Sequence, residues 1–361
     1  MSKSRTRPPA AAGAGEGGVM PLELAQQWKH TRRAFAVGMA MGVVLFLLPL
    51  MVLGVEEEVT VLPSQPTPVP SLSSAPAWEE GETLRVLQED GTVEEMALSD
   101  YLWRVVAAEM PASFEPEALR AQAVCARTYS LWKMTAGSHA QEGADLCTDS
   151  GCCQAYIEPE RAQENWGGQA QAYTEKIAGA VADTADQVLT YEGSPIQAVF
   201  FSSSTASTED AAQVWGNSLP YLVPVSSPEG EEVPNYHSTV TMSTQQLRDT
   251  VLASYPEADL SGAASEWITQ VSYNASGRVA SLEVGGVSMS GGAARNLFGL
   301  RSSCFQVEQE GENFTFSVTG YGHGVGMSQY GANAMAKQGS DWREIVTHYY
   351  TGVSIETWGQ G

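Results

Sequence analysis

Apolar residues recur along this chain in three rhythms, and each predicts a different kind of element. Residues 34–55 (AFAVGMAMGVVLFLLPLMVLGV) are an unbroken run of 22 without a charge, long enough to cross roughly 30 Å of hydrocarbon as one helix. Helical spacing comes next: Leu102, Val105 and Val106 place a helix over Asp100–Ala108, with Ser99 as its cap and Pro111 as its stop. A second helix is expected over Glu117–Met134, where Pro116 suits the first helical position and Gly137 the end. Its many alanines imply close packing on every side. Helical patterns return at Glu175–Thr190, Met327–Lys337 and Asp341–Tyr350, the last capped by Ser340. Shorter runs predict a hairpin of Leu84–Leu87 with Thr92–Met96, a buried strand within Pro195–Ser204, and strands at Ile268–Tyr273, Val279–Val284 and Asn313–Val318. The mixture is α+β: one continuous ectodomain, with or without lobes, behind a single-pass N-terminal transmembrane helix.

Charge gives that span a direction. Six basic residues stand against two acids in residues 1–33, and Glu56, Glu57 and Glu58 follow the apolar run. The positive-inside rule therefore assigns 1–33 to a cytoplasmic tail and the acidic remainder to the outside of the cell membrane. A cleaved signal peptide is the alternative, but its apolar region would be only about 7–15 residues long. Residues 56–81, with five prolines in VLPSQPTPVPSLSSAPAW, read as a semi-extended linker, and 82–356 as the folded ectodomain. The whole chain carries a formal charge of −23, which repels nucleic acid and anionic membrane surfaces and favours a neutral or cationic ligand.

Candidate chemistry is densest in Tyr101–Trp132. Glu109 ends an apolar helix ahead of Met110-Pro111, so hydrophobic surroundings disfavour its ionised form, the condition for a general acid near neutral pH. Arg127, on the following helix, can orient that carboxyl or hold a substrate oxygen. The same two residues can equally form a structural ion pair. His139, Cys147, Cys152 and Cys153 supply four donors within fifteen residues, enough for a closed, structural Zn2+ site. A disulfide from Cys147 to Cys152 or Cys153 is the alternative that an oxidising compartment permits. Asp145 and Asp149 read as acceptors behind His139 or as turn residues, Gln154 as a group turned into a cleft, and Cys125 and Cys304 as buried thiols.

A third constellation is Gly320–Ala332, GYGHGVGMSQYGA. Its glycines allow close backbone approach to an extended ligand, and Tyr321, His323, Gln329 and Tyr330 offer stacking and hydrogen-bonding groups suited to sugar hydroxyls. Taken alone, a glycine-rich loop with one His is weak support. Ser202, Ser203 and Ser204 end an apolar run, but no Gly-x-Ser-x-Gly elbow accompanies them to suggest a serine hydrolase.

Four segments, YLWRVVAAEMPASFEPEALRAQAVCARTYSLW, ADLCTDSGCCQAY, VWGNSLPYLVPVSSP and GYGHGVGMSQYGANAMAKQGSDWREIVTHYYTGV, together resemble the stage II sporulation protein D family, in its order, from about Glu82 to Val353. The resemblance implies a lytic transglycosylase of peptidoglycan that acts on glycan strands free of stem peptides during engulfment in endospore formers. Glu109 matches the family's catalytic glutamate, with Arg127 as its partner. Gln122, Gln154, Ser203, Ser204, Tyr321, His323 and Gln329 are the expected substrate contacts. Metal-bearing relatives commonly carry His where this chain has Cys152, a change that keeps a donor and adds a thiolate. The implied partners are glycan strands, a peptidoglycan amidase and another membrane protein of the engulfment complex, with no nucleic acid. Some relatives are described as amidase enhancers, so a non-catalytic glycan-binding module that stimulates an amidase is the rival expectation.

Overall fold

The computed structural model describes residues 83–359 except residue 138. The tail, membrane anchor and linker expected over residues 1–81 lie outside the described residues. No described helix is long and apolar enough to cross a membrane.

The chain opens as the expected hairpin, β1 (Thr83–Leu87) antiparallel to β2 (Val93–Ala97). Helix α1 (Leu98–Glu109) follows at once, beginning before Ser99, so Ser99 does not cap it; Ala97 takes that position without a side-chain bond. The helix ends at Glu109 because Met110 is extended, as a residue preceding proline prefers. Helix α2 (Pro116–Ala136) runs from its N-terminal proline to Gly137 at φ +64°. Ala118, Ala121, Ala123 and Ala126 are fully buried along it, and their small side chains let neighbouring helices approach closely. Strand β3 (Leu146–Cys147) then adds parallel to β1.

Two expectations fail in the middle of the chain. Helices α3 (Pro159–Trp166) and α4 (Ala170–Asp183) precede a break at Asp186, whose φ is +59°. The chain resumes as strand β4 (Gln187–Tyr191), with Val188 and Leu189 buried, rather than continuing helical to Thr190. The run Pro195–Ser204 is not one strand either. Two short strands, β5 (Ser194–Pro195) and β6 (Phe200–Phe201), and an isolated bridge from Ser203 to Tyr321 take its place, with Ile196 and Ala198 filling the core while the backbone between follows an irregular path. After the short helix α5 (Ala211–Trp215), the chain leaves this first lobe near Tyr236.

Residues 237–319 build a second lobe. Strand β7 (His237–Ser243) leads into helix α6 (Thr244–Ser254), which a reciprocal Ser243–Gln246 capping box starts. Strands β8 (Ile268–Tyr273), β9 (Val279–Val284) and β10 (Val287–Ser290) form one antiparallel sheet. Helix α7 (Gly291–Leu297) and strands β11 (Phe305–Glu310) and β12 (Asn313–Thr319) follow, and β12 lies between β11 and β7. Alternation along β12 turns Phe314, Phe316 and Val318 inward, where they join Leu247, Trp267 and Phe298 in a core separate from that of the first lobe.

The chain re-enters the first lobe beside the point where it left, with Gly320 N–H donating to Tyr236 O at 2.8 Å. Strand β13 (Met327–Ser328) pairs parallel with β6, and helix α8 (Gln329–Lys337) follows. Helix α9 (Trp342–Tyr349) is capped by Asp341, which exchanges bonds with Glu344, and not by Ser340. Strand β14 (Ser354–Thr357) closes on β4. Helices α1, α4, α8 and α9 all pack on α2.

Candidate active site

Glu109 stands where α1 ends, on the wall of an open groove of about 680 Å³. Its Oε1 accepts from Ala155 N–H at 2.8 Å and its Oε2 from the Gln329 side-chain amide at 3.3 Å. Both bonds favour the ionised form. Burial opposes them and prevails, holding the carboxyl above the ordinary range. Among the described residues lining the groove, Glu109 is the only carboxylate.

The residues singled out from the sequence divide into those at the groove and those behind it. Gln154, Tyr321, His323 and Gln329 line it together with Glu109. Tyr321 is 44% exposed and stacks on the Arg301 guanidinium, 4.3 Å from the ring centre. Gln154 gives its amide to Ser130 Oγ at 3.1 Å. His323 has both nitrogens engaged: Nδ1 accepts from Val325 N–H and Nε2 faces Phe200 O at 3.1 Å. This fixes the Nε2–H tautomer, and burial lowers its pKa to about 4. His323 is thus a neutral strut at physiological pH.

Arg127 requires a correction. It is fully buried on α2 and donates to Val181 O at 3.2 Å and Thr184 Oγ1 at 3.5 Å at the end of α4. The groups acting on Glu109 are its buried surroundings, Ala155 and Gln329, and Arg127 is not among them. Neither the oriented partner nor the structural ion pair forms. Gln122 is likewise fully buried and outside the groove. Of the three serines only Ser202 reaches it: Ser203 pairs with Tyr321 through the backbone, and Ser204 donates its N–H to Glu229 at 2.6 Å. Tyr330 packs edge-on against Phe114 instead.

The glycines of Gly320–Gly326 lie hard against the protein's own atoms, and Gly322 also lines the groove. Gly322 has φ +113°, and a Cβ there would stand 2.7 Å from Phe201 Cβ; one at Gly326, φ +78°, would strike Val199 O. These close approaches hold the loop against Val199 and Phe201, which line the groove together with Phe200. Phe200, Trp215, Tyr129 and Arg295 line the groove without having been anticipated. Phe200 lies in a run that reads as plain apolar sequence, and Trp215, within VWGNSLPYLVPVSSP, is 41% exposed.

The donor atoms of His139, Cys147, Cys152 and Cys153 all lie within 4.8 Å of one another, and Cys152 and Cys153 themselves line the groove. His139 Nε2 is 3.4 Å from Cys152 Sγ and 3.5 Å from Cys153 Sγ. Tetrahedral zinc ligands, with bonds of about 2.0–2.3 Å, stand roughly 3.5–3.8 Å apart, so the donor set fits such an ion. Asp149 O accepts from the N–H groups of both Cys152 and Cys153, a turn that brings the adjacent thiols to one point. Lys133 Nζ lies 3.9 Å from Cys152 Sγ, a cation beside the extra sulfur. All five cysteines are free thiols, so the disulfide alternative is not formed. Asp145 pairs with Arg85 at 2.7 Å, and Asp149 Oδ1 holds Gly151 N–H; neither backs His139. Two residues past Cys153, Ala155 supplies the N–H on Glu109.

The fold and groove therefore define an α+β protein with one desolvated carboxyl on an open polar groove, buttressed by a sulfur-rich cluster able to hold a metal ion. The family profile described as Stage II sporulation protein matches residues 88–191. The chain is 38% identical over 266 residues to Stage II sporulation protein D of Bacillus amyloliquefaciens, covering 73% of this chain and 75% of that protein. It is 36% identical over 296 residues to Stage II sporulation protein D of Bacillus subtilis, covering 79% and 84%. The chain belongs to the stage II sporulation protein D family. It is also 29% identical over 306 residues to the amidase enhancer of Bacillus subtilis, covering 70% of this chain and 40% of that protein.

Proposed function

We propose that the protein is a lytic transglycosylase that cuts MurNAc–GlcNAc bonds of stem-peptide-free peptidoglycan strands during engulfment at sporulation. The observation that carries this reading is the solitary, desolvated carboxyl of Glu109. Ordinary glycoside hydrolysis needs two carboxyl groups flanking the bond, whereas ring closure onto the sugar's own C6 hydroxyl needs only one. Glu109 gives its proton to the bridging oxygen as the C1–O bond breaks. The carboxylate then takes the C6 hydroxyl proton as O6 bonds to C1, leaving a 1,6-anhydro end and consuming no water. Ala155 N–H and the Gln329 amide stabilise the anion between the two transfers. Tyr321, Trp215 and Phe200 supply faces on which sugar rings stack, and Gln154 stands beside them.

His139, Cys147, Cys152 and Cys153 would hold a structural Zn2+, which supplies cross-linking and no reaction chemistry. By holding the turn at 149–153 they position Ala155. The N-terminal 33 residues would lie in the cytoplasm, residues 34–55 in the cell membrane, and the domain from residue 82 outside it. A peptidoglycan amidase and another membrane protein of the engulfment complex are the partners this reading calls for.

Similarity to an amidase enhancer favours a second reading, a glycan-binding module that stimulates an amidase without cutting. Mass spectrometry of denuded glycan strands incubated with the full-length protein alone separates the two. Anhydro ends support the transglycosylase; binding without new ends, together with faster release of peptides by an added amidase, supports the module.

A further inference from the structure

The groove opens into a second cavity, of about 370 Å³, that shares Trp215, His323 and Arg295 with it. Its chemistry is unlike that of the groove wall at Glu109. Arg278 lines it, is 1% exposed, and makes no hydrogen bond through Nε, Nη1 or Nη2. Glu209 also lines the cavity and lies 3.4 Å from Arg278 Nε as an ion pair. That carboxylate is already engaged by Asn274 Nδ2 at 2.6 Å and by the Ser276 hydroxyl. A buried guanidinium left short of acceptors is costly, and its planar fork of donors suits a two-oxygen anion.

Arg295 stands at the junction of the two cavities, steadied by its Nε–H donating to Arg301 O at 3.1 Å. Arg248, Arg278, Arg295 and Arg301 are the four Lys or Arg residues of 237–319, a segment with twice as many acids, and two of them, Arg278 and Arg295, line this cavity. His323 is neutral, so Arg278 and Arg295 outweigh Glu209 in the cavity. A protein of net charge −23 thus presents a local positive site beside its reactive carboxyl. The neutral or cationic ligand expected from the whole-chain charge does not hold at this spot.

We propose that Arg295 and Arg278 form a carboxylate subsite, and that on the glycan reading above its ligand is the lactyl carboxylate of a MurNAc residue whose stem peptide has been removed. In peptide-bearing strands that carboxyl is an amide, which is uncharged and turns one N–H toward any approaching guanidinium. Removing the peptide exposes two equivalent anionic oxygens on the ring whose C1 is to be attacked. A guanidinium distinguishes the two states by charge and by bidentate geometry. The subsite turns prior peptide removal into affinity.

The test compares strands with free lactyl carboxylates against the same strands converted to primary amides, using the full-length protein. Binding is measured with Glu109→Gln and cutting with the wild type. The carboxylate strand is expected to bind at least about tenfold tighter. Arg295→Gln should lower its affinity to that of the amide strand, Arg295→Lys should recover part of the difference, and added salt should shrink it. Equal binding of the two strands overturns the subsite even if anhydro ends form. Carboxylate-dependent binding with no anhydro product keeps the subsite and overturns the transglycosylase reading. Failure to bind either strand overturns both.

Discussion

Two glutamates of the first lobe stand in contrast, Glu109 on the groove wall and Glu229 beneath the loop that carries Ser204. Glu229 is 4% exposed and accepts from Ser204 N–H at 2.6 Å, from Ser227 Oγ at 2.6 Å and from the Ser328 hydroxyl. Tyr349 OH closes on the same Ser227, and Gly331 leaves room for all of them. Glu109 has two donors, one at 3.3 Å, and one side open to the groove. The two differ in how many donors meet the carboxylate and in whether a ligand can reach its oxygens.

Glu109→Gln should break the comparison most sharply. Loss of general acid and base in one residue predicts a fall in cutting of about 10³-fold, read as anhydro ends per unit time, while circular dichroism and metal content stay as in the wild type. Glu229→Ala should do the reverse, lowering unfolding free energy by about 3 kcal/mol as three donors lose their acceptor. A denaturant titration reads that loss, and cutting per folded molecule should fall far less than in Glu109→Gln. Chelation tests whether an ion held by His139, Cys147, Cys152 and Cys153 supports the turn that leads to Ala155. At free Zn2+ a hundred times its dissociation constant the ion adds about 2.7 kcal/mol, so chelation should lower the melting temperature and readdition should restore it. Cys147→Ser should blunt both responses.

The smallest expected effect is pH dependence. Because burial raises the Glu109 pKa, the acid form is present below that raised value, and cutting should fall about tenfold per pH unit above it. Linkage has the same sign: a carboxyl whose folded pKa lies above its unfolded one favours the fold at low pH, and that advantage is lost as pH rises through the folded value. Glu109→Gln should consequently be no less stable than wild type at neutral pH. A variant that melts well below wild type there would show that the carboxylate is structural, as Glu229 is.

How much of this was legible in sequence depends on whether local or distant groups decide a position. Helices α1 and α2 could be read because proline, glycine and apolar spacing act within one turn, and β12 because its alternation is local. Caps were misplaced by two residues at Ser99 and by one at Ser340, where the choice rests on backbone geometry. The run Pro195–Ser204 misled because Phe200 and Phe201 find their short partner strand more than a hundred residues later. Residues 205–267 offered no element pattern beyond the family-like segment VWGNSLPYLVPVSSP, although Ser243 and Gln246 carry a capping-box spacing. At the groove, the desolvation of Glu109 could be argued from its apolar helix. The commitment of His323 to Phe200 O and the removal of Arg127 to α4 depend on tertiary contacts that no local pattern records.

The paired crossing at Tyr236 and Gly320 has a practical side. Because both ends of segment 237–319 meet across one hydrogen bond, a brief turn could splice them, and what remained would keep the acid while shedding the arginine wall. The fold thus offers its own scissors mark between the part that would cut and the part that would choose.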